Sequence, residues 1–516
     1  MKKFLYSNLF FLFFLALSVF AVYGKSISFE FISLDDDILI LNNIDYISNI
    51  KNIPNFFTNS CYYSDNYYYY RPILTLSFSV ESMFFGPNPK IYHLTNMILF
   101  ILSIYLMYVF LSKLKLTLNK NILKCICILM SVHPIFTSSI VWVSARNDTL
   151  LVAFLMLSLI NLVNYLEQNR FKHLILYTLF FTIALFTKET AIILIPVYML
   201  FIYTFNYKIT KKQIIVSALI LFPIITTYFI LRHLSVASID IKNYLNWQEY
   251  VENIFKGIMT YIEKFIVPDY IPTMLYKIKL GIKAIIVNIV FLTLLGFLYV
   301  KKIINRKIII FCAVWFIVCL LPTFFQLEYA FLTHRLIISS VAIVLILSLI
   351  TTKIIMYYPE SRKYLISFFI LLVFVFTYAS FMQSHKYKDS NVFWFHAYLD
   401  APRYHLTCHG LAKQYLYAGN YPKAKELFYE AKKLKNLYDY DLSIVTVFIA
   451  EGNLDKAEDL LLRLLEKKEK LTTLRYLSEI YYVKGNIKKS CIYAQKALKV
   501  DPNDPLLLKH LKRLSQ

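Results

Sequence analysis

Apolar stretches long enough to cross a lipid bilayer recur along the first three quarters of the chain. A hydrocarbon core roughly 30 Å thick requires about 17 to 20 consecutive apolar residues in a helix. Eleven segments meet or approach this length, at residues 4–22, 91–111, 122–142, 149–166, 174–187, 190–206, 213–231, 282–300, 308–325, 336–352 and 364–382. The pattern predicts an all-α, polytopic membrane helix bundle of about eleven spans.

Two features of these segments leave alternatives open. The fifth and sixth are short and are separated only by Lys188-Glu189, so they form either two spans or one broken or re-entrant element. The first follows Lys2 and Lys3 and precedes small and polar residues near Gly24, as a cleaved signal peptide would. Its apolar run of about nineteen residues is long for a signal core, which favours a retained helix over cleavage of residues 1–24.

The tail, from about residue 404, is polar with apolar residues at helical spacing. A Gly-Asn pair recurs every 33 residues, and a small residue follows each glycine by five positions. The pairs are Gly419-Asn420, Gly452-Asn453 and Gly485-Asn486, followed by Ala424, Ala457 and Ser490. This period predicts a tetratricopeptide (TPR) α-solenoid with a capping helix at 503–514, whose concave groove would bind peptides or proteins. An ordinary helical bundle is the alternative.

The composition excludes a soluble enzyme. Of the 516 residues, 58% are hydrophobic and 17% are charged, with a mean hydropathy of +0.54, which is more apolar than a soluble globular surface permits. Lysine plus arginine outnumber aspartate plus glutamate by 55 to 32, a net charge of +23. Seven cysteines without paired spacing make neither a disulfide framework nor a zinc site.

The positions of the basic residues explain much of this net charge. They cluster in alternate loops, at Lys113/Lys115/Lys120, Arg170/Lys172, Lys208/Lys211/Lys212, Lys301/Lys302/Arg306/Lys307 and Lys353/Arg362/Lys363. The positive-inside rule places these loops and the amino terminus in the cytoplasm. Residues 24–90, 232–281, 326–335 and everything after 383 then lie outside. The sequence predicts an integral inner (cytoplasmic) membrane protein with an extracytoplasmic repeat domain, and nucleic-acid binding has no place in this account.

An acidic run just outside the first helix is the sharpest chemical signal. Asp35, Asp36 and Asp37 are consecutive, and adjacent carboxylates repel one another, which raises a pKa towards a value useful for a general base. The same run would also suit a divalent cation. A solvated loop or the amino-terminal cap of a helix is the simpler alternative.

Further polar residues map to the same membrane face as the acidic run. They are Arg71, His93, His133, Arg146, Lys188, Glu189, His334 and Arg335. Each has a simpler explanation of its own, such as a headgroup anchor, a helix-to-helix hydrogen bond or a snorkelling cation. Their shared face instead favours a cavity with carboxylates above and cations near the headgroups, which suits a lipid-linked phosphate donor and a hydroxyl acceptor.

The order of these motifs resembles that of GT-C glycosyltransferases, and is similar to the transmembrane and TPR repeat-containing protein O-mannosyltransferases and their bacterial relatives. Five blocks carry the resemblance, namely Asp35-Asp36 with Ile40 and Asn43, Tyr70-Arg71-Pro72 through His93 to Asn96, His133-Pro134 through Trp142 to Arg146-Asn-Asp148, Lys188-Glu189-Thr190, and His334-Arg335. With the repeat tail they cover most of the chain.

The resemblance implies transfer of one sugar from a polyprenyl-phosphate carrier to a protein or surface-glycan acceptor on the extracytoplasmic side. It implies Asp35 or Asp36 as the general base of an inverting displacement. The donor phosphate would be neutralised by Arg146, Lys188 and Arg335. No cofactor is expected, and a bound divalent cation is possible within the class but not favoured here.

The implied organisation is a transmembrane GT-C-like domain at 1–382, with its first extracytoplasmic loop at 24–90, a linker at 383–403 and the repeats at 404–516. A non-catalytic membrane-anchored TPR scaffold for envelope protein assembly is the main functional alternative. A transporter is a weaker one, because the sequence shows no inverted repeat or paired broken helices.

Overall fold

A computed structural model describes residues 2–63, 69–236, 247–275, 278–325, 331–467, 469–502 and 504–514. Parts of the predicted outer loops and of the predicted capping helix, at 64–68, 237–246, 276–277, 326–330 and 503, lie outside these described residues. Over the described ranges the chain consists of helices and connecting turns, without a β-strand. It divides into two compact units, Met1–Phe393 and Trp394–Gln516.

The first unit contains seventeen α-helices and the start of an eighteenth in the described residues. They are α1 Lys2–Tyr23, α2 Asp36–Leu39, α3 Ile44–Ile47, α4 Ile53–Phe56, α5 Pro72–Phe85, α6 Pro89–Lys113, α7 Lys120–Ser131, α8 Thr137–Val141, α9 Arg146–Gln168, α10 Phe171–Thr187, α11 Leu194–Thr204, α12 Lys211–Ser235, α13 Trp247–Ile266, α14 Ile282–Val300, α15 Arg306–Leu320, α16 Leu336–Tyr357, α17 Ser361–Ser384 and α18 Ser390–Asp400.

Eight helices in the described residues are long and apolar enough to cross a membrane, or nine if one bent pair counts as a span. The prediction of about eleven spans is therefore too high. Two of the predicted spans are the short helices α10 and α11, of 17 and 11 residues. At about 1.5 Å per residue, neither reaches across a core roughly 30 Å thick.

The predicted span at 122–142 corresponds to the bent pair, in which α7 and the segment Pro134–Val141 meet at 55°. Pro134 has no N–H to donate and begins a 3₁₀ turn, Pro134–Phe136. His133 stabilises the break, because its Nδ1 accepts a hydrogen bond from the Ile135 N–H at 3.2 Å. The chain therefore changes direction at this point and enters the short helix α8.

The long helices differ in how deeply they are buried. Most of α6, α9 and α16 is buried against other helices, whereas α12, α14 and α17 are largely exposed. The exposed helices carry large apolar side chains such as Phe222, Val290 and Phe374, which are 73%, 63% and 71% exposed. Apolar surface of this extent on helices of spanning length faces lipid, so the chain is an integral membrane protein.

The second unit contains the rest of α18 and seven further helices in the described residues. These are α19 His405–Tyr417, α20 Tyr421–Leu434, α21 Tyr438–Ala450, α22 Leu454–Lys467, α23 Leu471–Val483, α24 Ile487–Val500 and α25 Pro505–Leu514. Consecutive helices pack against each other, as in α19 with α20 and α23 with α24.

The three Gly-Asn pairs occupy equivalent places in this unit. Gly419, Gly452 and Gly485 have φ of +74°, +74° and +76°, which a glycine adopts readily. Each asparagine N–H donates to the carbonyl five residues earlier, and each glycine N–H to the carbonyl three residues earlier, so each pair ends its helix in a Schellman motif. The 33-residue period is therefore a period of structure, while its identification as TPR stays a prediction.

Candidate functional site

Asp35 and Asp36 lie in the loop after α1, which we call the acidic loop (residues 29–40). Asp35 precedes the one-turn helix α2, and Asp36 is its first residue. Although the two are neighbours in the chain, their carboxylates have different surroundings.

Asp36 is buried, with 1% of its surface exposed. Its Oδ2 accepts a hydrogen bond from the Ile32 N–H at 2.9 Å. Its Oδ1 accepts from the Ser144 N–H at 3.0 Å and from the Ser144 hydroxyl. Burial raises the pKa of Asp36 to about 7, against the opposing effect of these hydrogen bonds and with a smaller contribution from the Asp35 charge. Asp36 therefore joins the acidic loop to the 3₁₀ turn Val143–Ala145.

Asp35 is partly exposed and lines a cavity of about 240 Å³. Its carboxyl is hydrogen-bonded to the side chain of Tyr62 and is close enough to Arg71 and Arg335 to sense both charges. Burial outweighs these interactions and raises the pKa of Asp35 to about 6. A carboxylate with such a pKa is ionised at neutral pH and accepts a proton more readily than an ordinary aspartate.

The cavity walls combine charged, amide and aromatic side chains. The charged and amide residues that line it are Asp35, Arg71, Asn147, Lys188, His334 and Arg335. Tyr62, Tyr69 and Trp142 add aromatic surface. The walls come from distant parts of the chain, which include the acidic loop, residues 62 and 69–74, residues 138–147 before and at the start of α9, the end of α10, residues 272–274 and residues 331–335.

Lys188 is held at the cavity wall by Asp148. The Lys188 Nζ contacts the two carboxylate oxygens of Asp148 at 2.7 Å and 2.8 Å, and both side chains are buried. His334 Nε2 lies 3.9 Å from Asp148 Oδ2. The pairing reduces the cost of burying both charges, and it fixes the position of the ammonium group.

Arg71 is held in a similar way by Glu189. Its Nη2 and Nε donate to the two carboxylate oxygens at 3.1 Å and 3.4 Å, and its guanidinium lies 4.4 Å from the ring centre of Tyr69.

A second, smaller cavity of about 40 Å³ is lined by both ion pairs and by Arg335. Three cations, Arg71, Lys188 and Arg335, therefore face two carboxylates, Asp148 and Glu189, across this part of the site. The Asp35 carboxylate of the larger cavity also senses Arg71 and Arg335, so the feature that suits an anion is the grouping of three cationic donors and not a net positive charge. Over the described residues, no three His, Cys, Asp or Glu side chains are grouped as a metal ion would require.

Arg146 lies away from the cavity lining and is fully buried. Its Nη1 donates to Glu81 at 2.7 Å, its Nε donates to Asn96 Oδ1 at 2.6 Å, and its Nη2 donates to the Tyr92 carbonyl at 3.0 Å. The guanidinium also lies 4.6 Å from the ring centre of Phe78. These contacts join α5, α6 and α9, so this arginine acts in the packing of the bundle.

His93 and His133 are also buried away from the cavity lining. His93 packs edge-on against Phe29, with ring centres 6.3 Å apart. Because His133 Nδ1 accepts from Ile135, its Nε2 carries the proton and donates to the Phe265 carbonyl at 2.9 Å. His133 therefore joins the break after α7 to the end of α13.

The structure thus brings together five of the predicted site residues at one cavity. They are Asp35, Arg71, Lys188, His334 and Arg335. Glu189 lines the adjoining small cavity, whereas Asp36, His93, His133 and Arg146 make contacts within the protein.

Three residues that line the cavity or pair with a predicted site residue are not themselves predicted from the sequence. They are Glu81, Tyr62 and Asn147. Glu81 is the only charged residue in helix α5, whose other residues are apolar or carry a hydroxyl, and this would have been a signal of a buried ion pair. Asn147 lies within the Arg146-Asn-Asp148 block, which could have indicated it, whereas Tyr62 carries no comparable signal because tyrosine is common in this chain.

Two comparisons with known proteins cover part of the chain. Residues 80–232 match the sequence profile of a family described as dolichyl-phosphate-mannose-protein mannosyltransferase. A human relative, protein O-mannosyl-transferase TMTC1, is 28% identical over 153 residues, which are 28% of this chain and 17% of the relative. The aligned region is thus a small part of that protein.

The segment that matches the family contains His93, His133, Arg146, Lys188 and Glu189. Asp35, Asp36, Arg71, His334 and Arg335 lie outside it. The family profile and the human relative support the motif-based interpretation, and the chain is confirmed to resemble the GT-C-like membrane glycosyltransferases.

Proposed function

We propose that this protein transfers a sugar from a polyprenyl-phosphate carrier to a hydroxyl group of a protein or surface-glycan acceptor. The observation that carries the proposal is that one cavity holds both a carboxylate of raised pKa, Asp35, and two of the predicted cations, Lys188 and Arg335. Glycosyl transfer from a phosphate needs a base for the acceptor and positive charge for the leaving group.

In the proposed reaction, the acceptor hydroxyl oxygen attacks the anomeric carbon of the sugar. Asp35 takes the hydroxyl proton as the new carbon–oxygen bond forms. The bond between the anomeric carbon and the phosphate oxygen breaks, and its electron pair stays on the phosphate. One displacement of this kind inverts the anomeric configuration and forms no covalent intermediate with the enzyme.

Asp35 is proposed as the base in preference to Asp36. A general base needs a lone pair within reach of the acceptor, and Asp35 lines the cavity. The Asp36 carboxylate instead accepts three hydrogen bonds from Ile32 and Ser144. We therefore propose that Asp36 positions the turn at 143–145.

Lys188 and Arg335 are proposed to stabilise the phosphate, which gains negative charge as the bond to the sugar breaks. Arg71 lines both cavities and adds to the positive potential. Arg146 is left out of this role, because Glu81, Asn96 and the Tyr92 carbonyl take up its donors.

The proposed location follows from the charge distribution of the loops. With the basic loops in the cytoplasm and nine spans, the bent pair counted as one of them, the acidic loop and the second unit lie outside an inner membrane. We propose that the 404–516 segment is a TPR domain that binds a peptide or protein, beyond a linker at 383–403.

Transfer of radiolabelled sugar would test the proposal, with membranes that contain wild type, Asp35→Asn or Asp36→Asn and a panel of synthetic polyprenyl-phosphate sugars. Asp45→Asn is the matched control, because Asp45 is an exposed acid of the same outer segment. We expect Asp35→Asn to lose roughly a hundredfold or more of the transfer rate and Asp45→Asn to keep the wild-type rate. Equal rates for wild type and Asp35→Asn would remove Asp35 from catalysis. No transfer from any donor by wild type would favour a non-catalytic scaffold.

A further inference from the structure

Two polar atoms at the cavity have no hydrogen-bond partner among the described residues. They are the indole Nε1 of Trp142 and the amide Oδ1 of Asn147, and both atoms are buried. Both residues line the 240 Å³ cavity beside Asp35. Buried polar groups in proteins nearly always have a partner, and an unpaired one is costly. A bound molecule that supplies one acceptor and one donor would satisfy both atoms.

The backbone that carries these two side chains is held from several directions. Asn96 Nδ2 donates to the carbonyls of Trp142 and Val143, each at 3.2 Å. The Asp36 carboxylate holds Ser144 between them. The Trp142 ring also meets the His334 ring nearly edge-on, with centres 5.4 Å apart. A site fixed before its ligand arrives loses less free energy on binding.

The chemistry of the two atoms selects among the groups that would enter the cavity. A phosphodiester has no hydrogen to donate, so it leaves the Asn147 Oδ1 unpaired. A sugar hydroxyl both donates and accepts and therefore suits either atom. The cavity volume of about 240 Å³ equals roughly eight water molecules at their liquid volume, which is room for one monosaccharide.

We propose that Trp142 and Asn147 form a subsite for the monosaccharide that is transferred. The Trp142 N–H donates to one sugar hydroxyl, and the Asn147 Oδ1 accepts from another. The proposal rests on the proposed function, in which the sugar lies between the acceptor at Asp35 and the phosphate at Lys188 and Arg335. Trp142 and Asn147 line the same cavity as all three of these residues.

Transfer assays with deoxy donors, each of which lacks one hydroxyl group of the sugar, test the subsite. The variants are Trp142→Phe, which removes the N–H, and Asn147→Leu, which removes the amide. Asn161→Leu and Trp315→Phe are matched controls. Asn161 lies on the same helix with the same 8% exposure as Asn147, and Trp315 donates its N–H to the Ile338 carbonyl at 2.9 Å.

We expect wild type to use the intact donor about tenfold to a hundredfold better than the matching deoxy donor. This ratio should approach one in Trp142→Phe for one deoxy position and in Asn147→Leu for another, and should stay unchanged in both controls. A ratio compares two donors on the same protein sample, so a lower yield of folded variant does not alter it. If Trp142→Phe and Asn147→Leu both keep the wild-type ratio of intact to deoxy donor use, the proposed subsite is wrong.

Equilibrium binding separates failure of the subsite from failure of the proposed function. Purified protein in lipid nanodiscs is titrated with a polyprenyl-phosphate sugar and with the same polyprenyl phosphate without sugar. We expect the sugar to strengthen binding to wild type and to Asn161→Leu about tenfold or more, and to add little in Asn147→Leu. Such a pattern without turnover would support the subsite and reject the transferase. Equal affinities of wild type for the two lipids would overturn the subsite even if transfer occurs.

Discussion

The carboxylate of Asp36 accepts hydrogen bonds from both the backbone N–H and the hydroxyl of Ser144, which lies 108 positions later in the chain. This contact fixes the acidic loop to the turn that precedes α9. Asp35 is adjacent to one end of the contact, and Trp142 and Asn147 flank the other. One buried carboxylate thus sets the distance between the proposed base and the proposed sugar subsite.

Loss of this contact should destabilise the protein. Asp36→Ala leaves the N–H groups of Ile32 and Ser144 buried without an acceptor, and we expect a loss of about 2–4 kcal/mol of unfolding free energy. Thermal unfolding of the detergent-solubilised protein measures the effect. Ser144→Ala keeps its backbone N–H and should lose about 1 kcal/mol. Equal unfolding temperatures for wild type and Asp36→Ala would show that the contact contributes little.

How well the sequence predicts this site depends on the separation of the residues involved. The acidic run identifies the correct loop, but adjacent residues of the same type cannot be told apart without their partners. Asp36 finds its partner at Ser144, and Arg146 finds its partner at Glu81, 65 positions away. Pairings over such distances depend on how the helices pack against each other, and this packing cannot be inferred from a single sequence.

The helices themselves are easier to predict, because local periodicity and apolar length determine them. The errors fall at α10 and α11, which are apolar but too short to span, and at the bent pair. The break at Pro134 follows from the missing N–H and the His133 cap, yet the apolar composition continues through it. A count based on composition therefore treats this segment as one span, although the backbone divides it into two helices.

The pH dependence of transfer should report on Asp35. Burial raises its pKa to about 6, and only the ionised form accepts a proton from the acceptor. We expect the transfer rate at low donor concentration to fall about tenfold per pH unit below pH 6 and to level off above pH 7. Initial rates between pH 4.5 and 8 measure this profile. A flat profile across that range would contradict the assignment of Asp35.

The same shift predicts that Asp35 lowers stability at neutral pH. Its pKa in the folded protein lies above the ordinary value of 3.8, so the folded state holds the proton more tightly and loses stability as the pH rises from about 4 through 6. Asp35→Asn should therefore unfold at a higher temperature than wild type at pH 7, with the two proteins closer at pH 4. A lower unfolding temperature for Asp35→Asn at pH 7 would argue against a raised pKa.

Arg335 should matter for the departure of the phosphate. It lines both cavities and is partly exposed, so Arg335→Ala should reduce the transfer rate by roughly a hundredfold with a small change in stability. Arg306→Ala is the control, because Arg306 is an exposed residue of a basic loop. Arg335→Lys keeps the charge and should recover part of the rate. A loss of the same size in Arg306→Ala would point to the net charge of the protein instead.

The buried pair of Arg146 and Glu81 should behave as a unit of stability that does not depend on the cavity. Removing one partner leaves the other charge buried without compensation, so Arg146→Met and Glu81→Leu should each lose about 3–5 kcal/mol. The double variant removes both charges and should lose clearly less than the sum, although Asn96 Oδ1 still loses its donor. Unfolding free energies of the wild type, the two single variants and the double variant give the coupling between the pair. Additive losses would show that Arg146 acts through its contacts with Asn96 and the Tyr92 carbonyl, and that Glu81 contributes separately.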